Sequence, residues 1–285
     1  MTAEQGLFVT TDWLASHLGD ADLAIVDGSS YLPAMKRDPE AEFLAGHIPG
    51  AVRLDINELC DRRSNLPHML PSEEEFAEAV GALGIGDGTK IVVYDGVGLF
   101  SAPRVRWMFK VYGAKDVTVL EGGLPKWISE GRTLETGLVH KAPRRFSAHF
   151  NHSAVADLAE IQRVLADGSA QVVDARPADR FYGEAPEPRS GVRSGHMPGS
   201  LNLPSSRVVA SGSLLDAAAL RQAFEEAGIS LDRPVITSCG SGVTAAILAL
   251  ALERIGKPAQ SLYDGSWAEW GSREELPVAT GRKQR

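Results

Sequence analysis

The chain has 285 residues, 44% of them hydrophobic and 23% charged, a length that suits two ordinary domains rather than one or three. With 29 Lys and Arg against 37 Asp and Glu the formal charge is −8, which argues against a nucleic-acid binder and, at this hydrophobic content, against disorder. The longest notable apolar stretch, Ala245 to Leu252, falls far short of the roughly 20 residues of a bilayer span. The opening MTAEQGLFVTTDW has no basic region followed by an apolar core, so a cytoplasmic protein without a signal peptide is expected.

In chain order, helical spacing at Leu14 and Leu18 predicts a first helix, and Leu23 to Asp27 reads as a short buried strand. A Gly46-His47-Ile48-Pro49-Gly50 turn follows. Ser72 with Glu75 forms a capping box opening a helix whose apolar face is Phe76, Val80 and Leu83. Residues 90–94 read as a second buried strand, ending at Asp95, with a loop and a helix after it. The stretch from Gly131 to Phe150 has no periodicity, contains Pro143 and is locally basic.

The order then repeats at a nearly constant offset. Ile161 and Leu165 match Leu14 and Leu18, residues 170–174 match 23–27, and Gly195-His196-Met197-Pro198-Gly199 matches the first turn. Asp216 caps a helix with Leu220, Phe224 and Ala227 on one face, and residues 234–238 form the second strand. Leu120 to Trp127 resembles Tyr263 to Trp270. A tandem duplication follows: two α/β domains, 1–135 and 150–285, joined by a linker at about 136–149. In each, strands alternating with helices predict a central, mainly parallel sheet flanked by helices.

The repeats differ where chemistry would sit, beyond the carboxyl end of the second strand. One strand ends at Asp95, the other at Cys239. Cys239 opens a loop of small residues, Gly240, Ser241, Gly242, Val243 and Thr244, before a helix from about Ala245 to Ile255. Such a loop at a helix N-terminus leaves N–H groups uncovered and forms an anion cradle, the natural occupant being the sulfur as thiolate. Ala245 stands where a Cys-based phosphatase needs Arg. There is no Walker loop, no Cys-x-x-Cys and no Cys/His spacing for a metal site. The other cysteine, Cys60, lies in a different context, so a disulfide framework is not expected.

Two tandem repeats with one strand-ending Cys in the second, Gly-His-x-Pro-Gly turns, and the Tyr263-Asp264-Gly265-Ser266-Trp267 segment resemble the rhodanese-type sulfurtransferases over nearly the whole chain. The resemblance implies catalysis through a Cys239 persulfide with no metal or organic cofactor, and a first domain made inactive by Asp95. The loop Cys-Gly-Ser-Gly-Val-Thr is similar to that of the branch using 3-mercaptopyruvate; thiosulfate enzymes usually carry Cys-Arg-Lys-Gly-Val-Thr. The physics agrees, because thiosulfate is a dianion charged close to its transferred sulfur, whereas mercaptopyruvate has one carboxylate several bonds away.

Arg180 and Arg189, in a stretch similar to the family's Gly-Arg-Phe…Glu-Pro-Arg, are then implied to bind the donor's carboxylate and keto oxygen; Asp179 stands where Gly is common. His68 resembles a histidine that joins Ser241 and an acid in proton transfer. Asn57 aligns with that acid, with Asp55, Glu58 and Asp61 nearby. His47 and His196 read as turn residues, Cys60 as non-catalytic, the tryptophans as packing groups and the tail from Gly281 as a solvated end. The implied acceptor is a thiol, thioredoxin or cyanide, and the expected state is a monomer with no nucleic-acid or membrane partner. The alternatives are a thiosulfate sulfurtransferase and a non-catalytic binding module.

Overall fold

The computed structural model describes residues 6–282. The first five residues of the segment read above for a signal peptide, and the last three of the basic tail, lie outside them. The chain divides into two compact units. The N-terminal unit takes residues up to Arg62 together with Leu70–Asn151 and Ser211–Ser213; the C-terminal unit takes Arg63–Met69, His152–Ala210 and the chain from Leu214 onward.

The N-terminal unit runs β1 (Phe8–Val9), α1 (Thr11–His17), β2 (Leu23–Asp27), α2 (Pro39–Ala45), β3 (Val52–Arg53), α3 (Glu73–Ala82), β4 (Lys90–Tyr94), α4 (Ala102–Val111), β5 (Val117–Leu120) and α5 (Gly123–Ser129). The C-terminal unit runs β6 (Val155–Ala156), α6 (Leu158–Asp167), β7 (Gln171–Asp174), α7 (Ala178–Phe181) and β8 (Leu201–Asn202). After β9 (Val209–Ala210) and β10 (Ser213–Leu214) come α8 (Ala217–Glu226), β11 (Val235–Ser238), α9 (Ala245–Arg254), β12 (Ser261–Tyr263) and α10 (Ser266–Ser272).

The sheet orders are β1-β5-β4-β2-β3 and β6-β12-β11-β7-β8, the same topology twice. Every pairing within these two sheets is parallel. Strands β5, β7, β11 and β12 are buried along their whole length, as Val/Ile-rich parallel strands covered on both faces must be.

The helix starts follow the capping chemistry of the sequence. Ser72 Oγ accepts from Glu75 N while the Glu75 carboxylate accepts from Ser72 N, completing the capping box. Asp216 Oδ1 accepts from Ala219 N at 2.9 Å, and Asp157 and Thr10 do the same for α6 and α1. The apolar run from Ala245 is explained by burial: nearly every side chain of α9 is inside the unit. Among the described residues no helix is long and apolar enough to cross a membrane.

The two turn histidines have matching structural duties. His47 Nδ1 lies 2.7 Å from Phe43 O and its ring stacks on Phe43 at 4.0 Å. His196 Nδ1 lies 2.9 Å from Phe181 O and stacks on Phe181 at 4.1 Å. Each pins the turn to the helix before it.

Two segments depart from the sequence boundaries. The expected linker at 136–149 packs as part of the N-terminal unit. Phe146 is buried edge-on against Phe76 and Phe109, and Arg144 N donates to Gly81 O at 3.0 Å. Gly81 permits this approach, since a Cβ there would lie 2.5 Å from Arg144 O. Residues 63–69, within the span assigned to the first domain, belong to the C-terminal unit and bring His68 with them.

Candidate active site

Cys239 is the first residue beyond β11, and only 2% of its surface is exposed. The loop of Gly240 to Thr244 carries the chain from there into α9. Its shape is set by the start of α10. Trp267 N donates to Cys239 O, and Ala268 N to Gly240 O, both at 2.9 Å. Ser266 Oγ accepts from Cys239 N at 3.2 Å and from Gly242 N at 3.1 Å, and donates to Tyr263 O at 2.7 Å. Ser266 is fully buried and sits at φ 50°, a left-handed conformation that a serine holds only when its surroundings fix it. Gly242, at φ 76°, makes the turn the loop needs.

The equivalent loop of the N-terminal unit shows what such a cradle holds. Asp95 stands at the Cys239 position. Its Oδ1 accepts from the N–H groups of Val97 and Gly98 at 2.9 and 2.8 Å. Its Oδ2 accepts from those of Phe100, Ser101 and Ala102 at 2.7 to 2.9 Å. Five backbone donors thus converge on one buried anion at the head of α4. Gly123 takes the place of Ser266 at φ 55°, and Leu124 N donates to Asp95 O as Trp267 N does to Cys239 O. Ser241, Thr244 and Ala245 hold the sequence positions of Val97, Phe100 and Ser101, where α9 begins with its positive end.

Beside the loop lies a cluster of charges. The Arg176 guanidinium is 1% exposed and pairs with Asp174 at 2.7 Å and with Glu187 at 2.8 Å. It lies over Trp267, 4.4 Å from the ring centroid, and also donates to Gly195 O. Trp267 is therefore a buried platform, its Nε1 donating to Arg193 O. Glu187 also pairs with Arg180, which lies over the loop: a Cβ on Gly240 would sit 3.4 Å from Arg180 Nη2. Arg189 Nη2 reaches Ser241 Oγ at 3.4 Å. Burial is the largest influence on Arg189 and holds its pKa below the ordinary value, with Arg180 adding to the effect; the Cys239 sulfur and Glu187 act the other way.

Ser241 Oγ also lies 3.1 Å from His68 Nδ1. A hydroxyl that accepts from Arg189 can donate to His68, so Arg189 orients Ser241 and a proton can pass between Ser241 and His68. His68 sits at φ 61°, in the left-handed region, within a segment dense in turns.

The candidate acids on the N-terminal unit are engaged locally. Asp55 accepts from Arg53 Nη2 at 2.6 Å and from both Asn57 nitrogens at 2.8 Å. Glu58 pairs with Arg62. Asn57 thus serves Asp55 as a donor. Cys60 donates its thiol to Asn57 O, and burial pushes its pKa up, which suits a thiol without a nucleophile's role.

Residues 10–130 and 157–273 each match the rhodanese-like domain. The chain belongs to the rhodanese family. It is 45% identical over 272 residues to a protein named 3-mercaptopyruvate sulfurtransferase from Escherichia coli (strain K12), covering 95% of this chain and 97% of that one. It is 40% identical over 270 residues to a thiosulfate sulfurtransferase of Bos taurus, covering 92% and 91%. Among solved structures, SseA from Escherichia coli, described as a 3-mercaptopyruvate sulfotransferase with the rhodanese fold, superposes with a TM-score of 0.85 at 43% identity, over 91% of this chain and 98% of that one.

In this rhodanese the residues singled out from sequence, Cys239, its loop, Ser241, His68, Arg180 and Arg189, fall in one place. Sequence reasoning missed Ser266, Arg176 and Glu187. Ser266 stands in a quoted motif, but its hydrogen bonds to Cys239 and Gly242 cross 24 to 27 residues and only folding reveals them. Replacing it tests whether the loop is prebuilt. Ser266→Ala is expected to destabilise this rhodanese by about 2 kcal/mol, because two buried N–H groups lose their acceptor. It should also lower kcat by about tenfold as the loop loosens. Thermal melting and steady-state rates check both, and unchanged values would show that the loop holds its shape without Oγ.

Proposed function

We propose that this rhodanese transfers sulfur from 3-mercaptopyruvate through a persulfide on Cys239 to a thiol or cyanide, releasing pyruvate. The Cys239 thiolate attacks the donor sulfur, and a sulfur–sulfur bond forms as the carbon–sulfur bond breaks. The electron pair of that bond leaves on carbon as the enolate of pyruvate. The proton of the donor thiol ends on that carbon, carried through Ser241 and His68. A persulfide anion remains in the cradle, where the loop N–H groups and the α9 terminus stabilise it as an oxyanion hole stabilises oxygen. Arg180 and Arg189 hold the carboxylate and keto oxygen and so fix the line of attack. The acceptor, a small thiol or thioredoxin in the cell and cyanide in an assay, then takes the outer sulfur.

The observation that carries this reading is the pair of loops. One repeat places a carboxylate among five N–H donors, and the other places a cysteine at the same position. In this reading the N-terminal domain is inactive because Asp95 fills its own cradle. The chain's own groups suffice for the chemistry, so no metal or organic cofactor takes part. Cys60 and Cys239 are both free thiols, which suits the reducing cytoplasm, and the protein acts as a monomer. A thiosulfate donor is disfavoured because no loop residue after Cys239 carries a charge.

Intact mass after incubation with 3-mercaptopyruvate, without acceptor, tests the reading. One added sulfur atom on the Cys239 peptide, removed by cyanide, is expected. No gain, or gain on Cys60, would overturn it.

A further inference from the structure

The charge cluster beside the loop has a buried side and an open side. Arg176 and Asp174 form the buried side, 1% and 0% exposed. Arg176 is held at three further points: Glu187, Gly195 O and the face of Trp267. It therefore fixes the Glu187 carboxylate, itself 4% exposed, from behind. Glu187 Oε1 is shared between Arg176 and Arg180, at 2.8 and 3.3 Å, while Oε2 belongs to Arg180. Arg180 is thus gripped on two nitrogens and its charge compensated, whereas Arg189 turns to Ser241. The N-terminal unit has an Arg37–Glu42 pair over Gly96, as Arg180–Glu187 lies over Gly240, but it has Ser29 where Arg176 would stand, so the buried arginine behind the carboxylate belongs to the Cys239 loop.

The guanidiniums of Arg176, Arg180 and Arg189 outnumber the carboxylates of Asp174 and Glu187 by one, so apart from the Cys239 sulfur the cluster carries a single net positive charge. We propose that Glu187 determines the donor class of this pocket. It positions Arg180 and, by its own charge, holds the cluster to one net positive charge, matched to a monoanionic thiol donor rather than a dianion. This rests on the reading that Arg180 and Arg189 receive the donor. With the Cys239 thiolate beside the cluster, a monoanion adds one negative charge fewer to the pocket than a dianion does. A dianion leaves an extra negative charge next to a sulfur that is becoming an anion, and the low local dielectric makes that mismatch costly.

Glu187→Gln keeps the shape, raises the net charge by one and leaves Arg180 uncompensated. Its kcat/KM for 3-mercaptopyruvate is expected to fall by about tenfold, while the ratio of kcat/KM for thiosulfate to that for mercaptopyruvate rises by about tenfold. Glu187→Asp keeps the charge but shortens the arm. It should slow both donors and leave their ratio within about twofold of the parent. A role in packing alone would lower both donors by one common factor in both variants, and that result, or unchanged kinetics in Glu187→Gln, would overturn the proposal.

The unmodified protein gives a test independent of folding in the variants. Pyruvate should compete with 3-mercaptopyruvate more tightly than sulfate does; sulfate binding as well or better would overturn the charge match. The mass gain on Cys239 of the parent separates the two levels. Without it the functional reading fails; with it, a common loss for both donors in Glu187→Gln removes only the role given to Glu187.

Discussion

Cys239→Ser abolishes sulfur transfer from either donor, with kcat/KM falling by at least about a thousandfold, while the protein stays folded and melts near the parent temperature. The reason lies in sulfur chemistry. A serine hydroxyl is not ionised near neutral pH, and it cannot form and release the sulfur–sulfur bond on which the transfer depends. The fold should tolerate the change because the hydrogen bonds that shape the loop use the backbone of Cys239 and Gly240 with Ser266, Trp267 and Ala268, and none uses the sulfur. The check is a paired measurement of initial rates and of the mass gain after donor incubation. Turnover above about a hundredth of the parent rate would place the nucleophile elsewhere.

Arg189→Ala raises the KM for 3-mercaptopyruvate by about 10- to 100-fold, the worth of one charge-assisted carboxylate contact in a half-buried site. The KM for thiosulfate rises less. Thiosulfate carries its charge beside the transferred sulfur, where the loop N–H groups reach it, and so leans less on a distant guanidinium. Arg189 is held partly out of water beside Cys239 and Arg180, so an anionic donor gains more from it than from a solvated surface arginine. Steady-state kinetics with each donor decides this. An equal rise for both would mean that Arg189 supplies general positive charge and does not read the carboxylate.

The architecture was legible because the duplication writes it twice. The strands at 23–27 and 90–94, and their counterparts before Cys239, are Val/Ile runs that bury both faces, and composition alone identifies them. The capping box at Ser72 and the cap at Asp216 are local signals and behave as such. The Asp95 and Cys239 asymmetry pointed to the site, and the five-donor cradle around Asp95 supplies its physical content.

What local reading missed was tertiary. Residues 136–149 look like a linker because Phe146 is a single aromatic without periodicity. The segment's other anchors are backbone and side-chain hydrogen bonds, such as Arg144 N to Gly81 O and Ser147 to Asp87, which leave no pattern in the sequence. The place of Phe146 against Phe76 and Phe109 depends on helices far away in the chain. The segment with His68 changes units within seven residues, between Arg63 and Met69, which no domain boundary drawn by repeat offset can follow. Arg176 was hidden for a different reason. An arginine two residues after a strand reads as a surface charge; only the carboxylates of Asp174 and Glu187 and the Trp267 face make its burial possible.

The most direct test of the account compares initial rates of the purified protein with cyanide as acceptor, once with 3-mercaptopyruvate and once with thiosulfate. The uncharged loop, the arginine pair and the single net positive charge of the cluster predict a kcat/KM for mercaptopyruvate at least about a hundredfold above that for thiosulfate. Equal values, or a preference for thiosulfate, would contradict it, and would move the choice of donor from these residues to other cations in the protein.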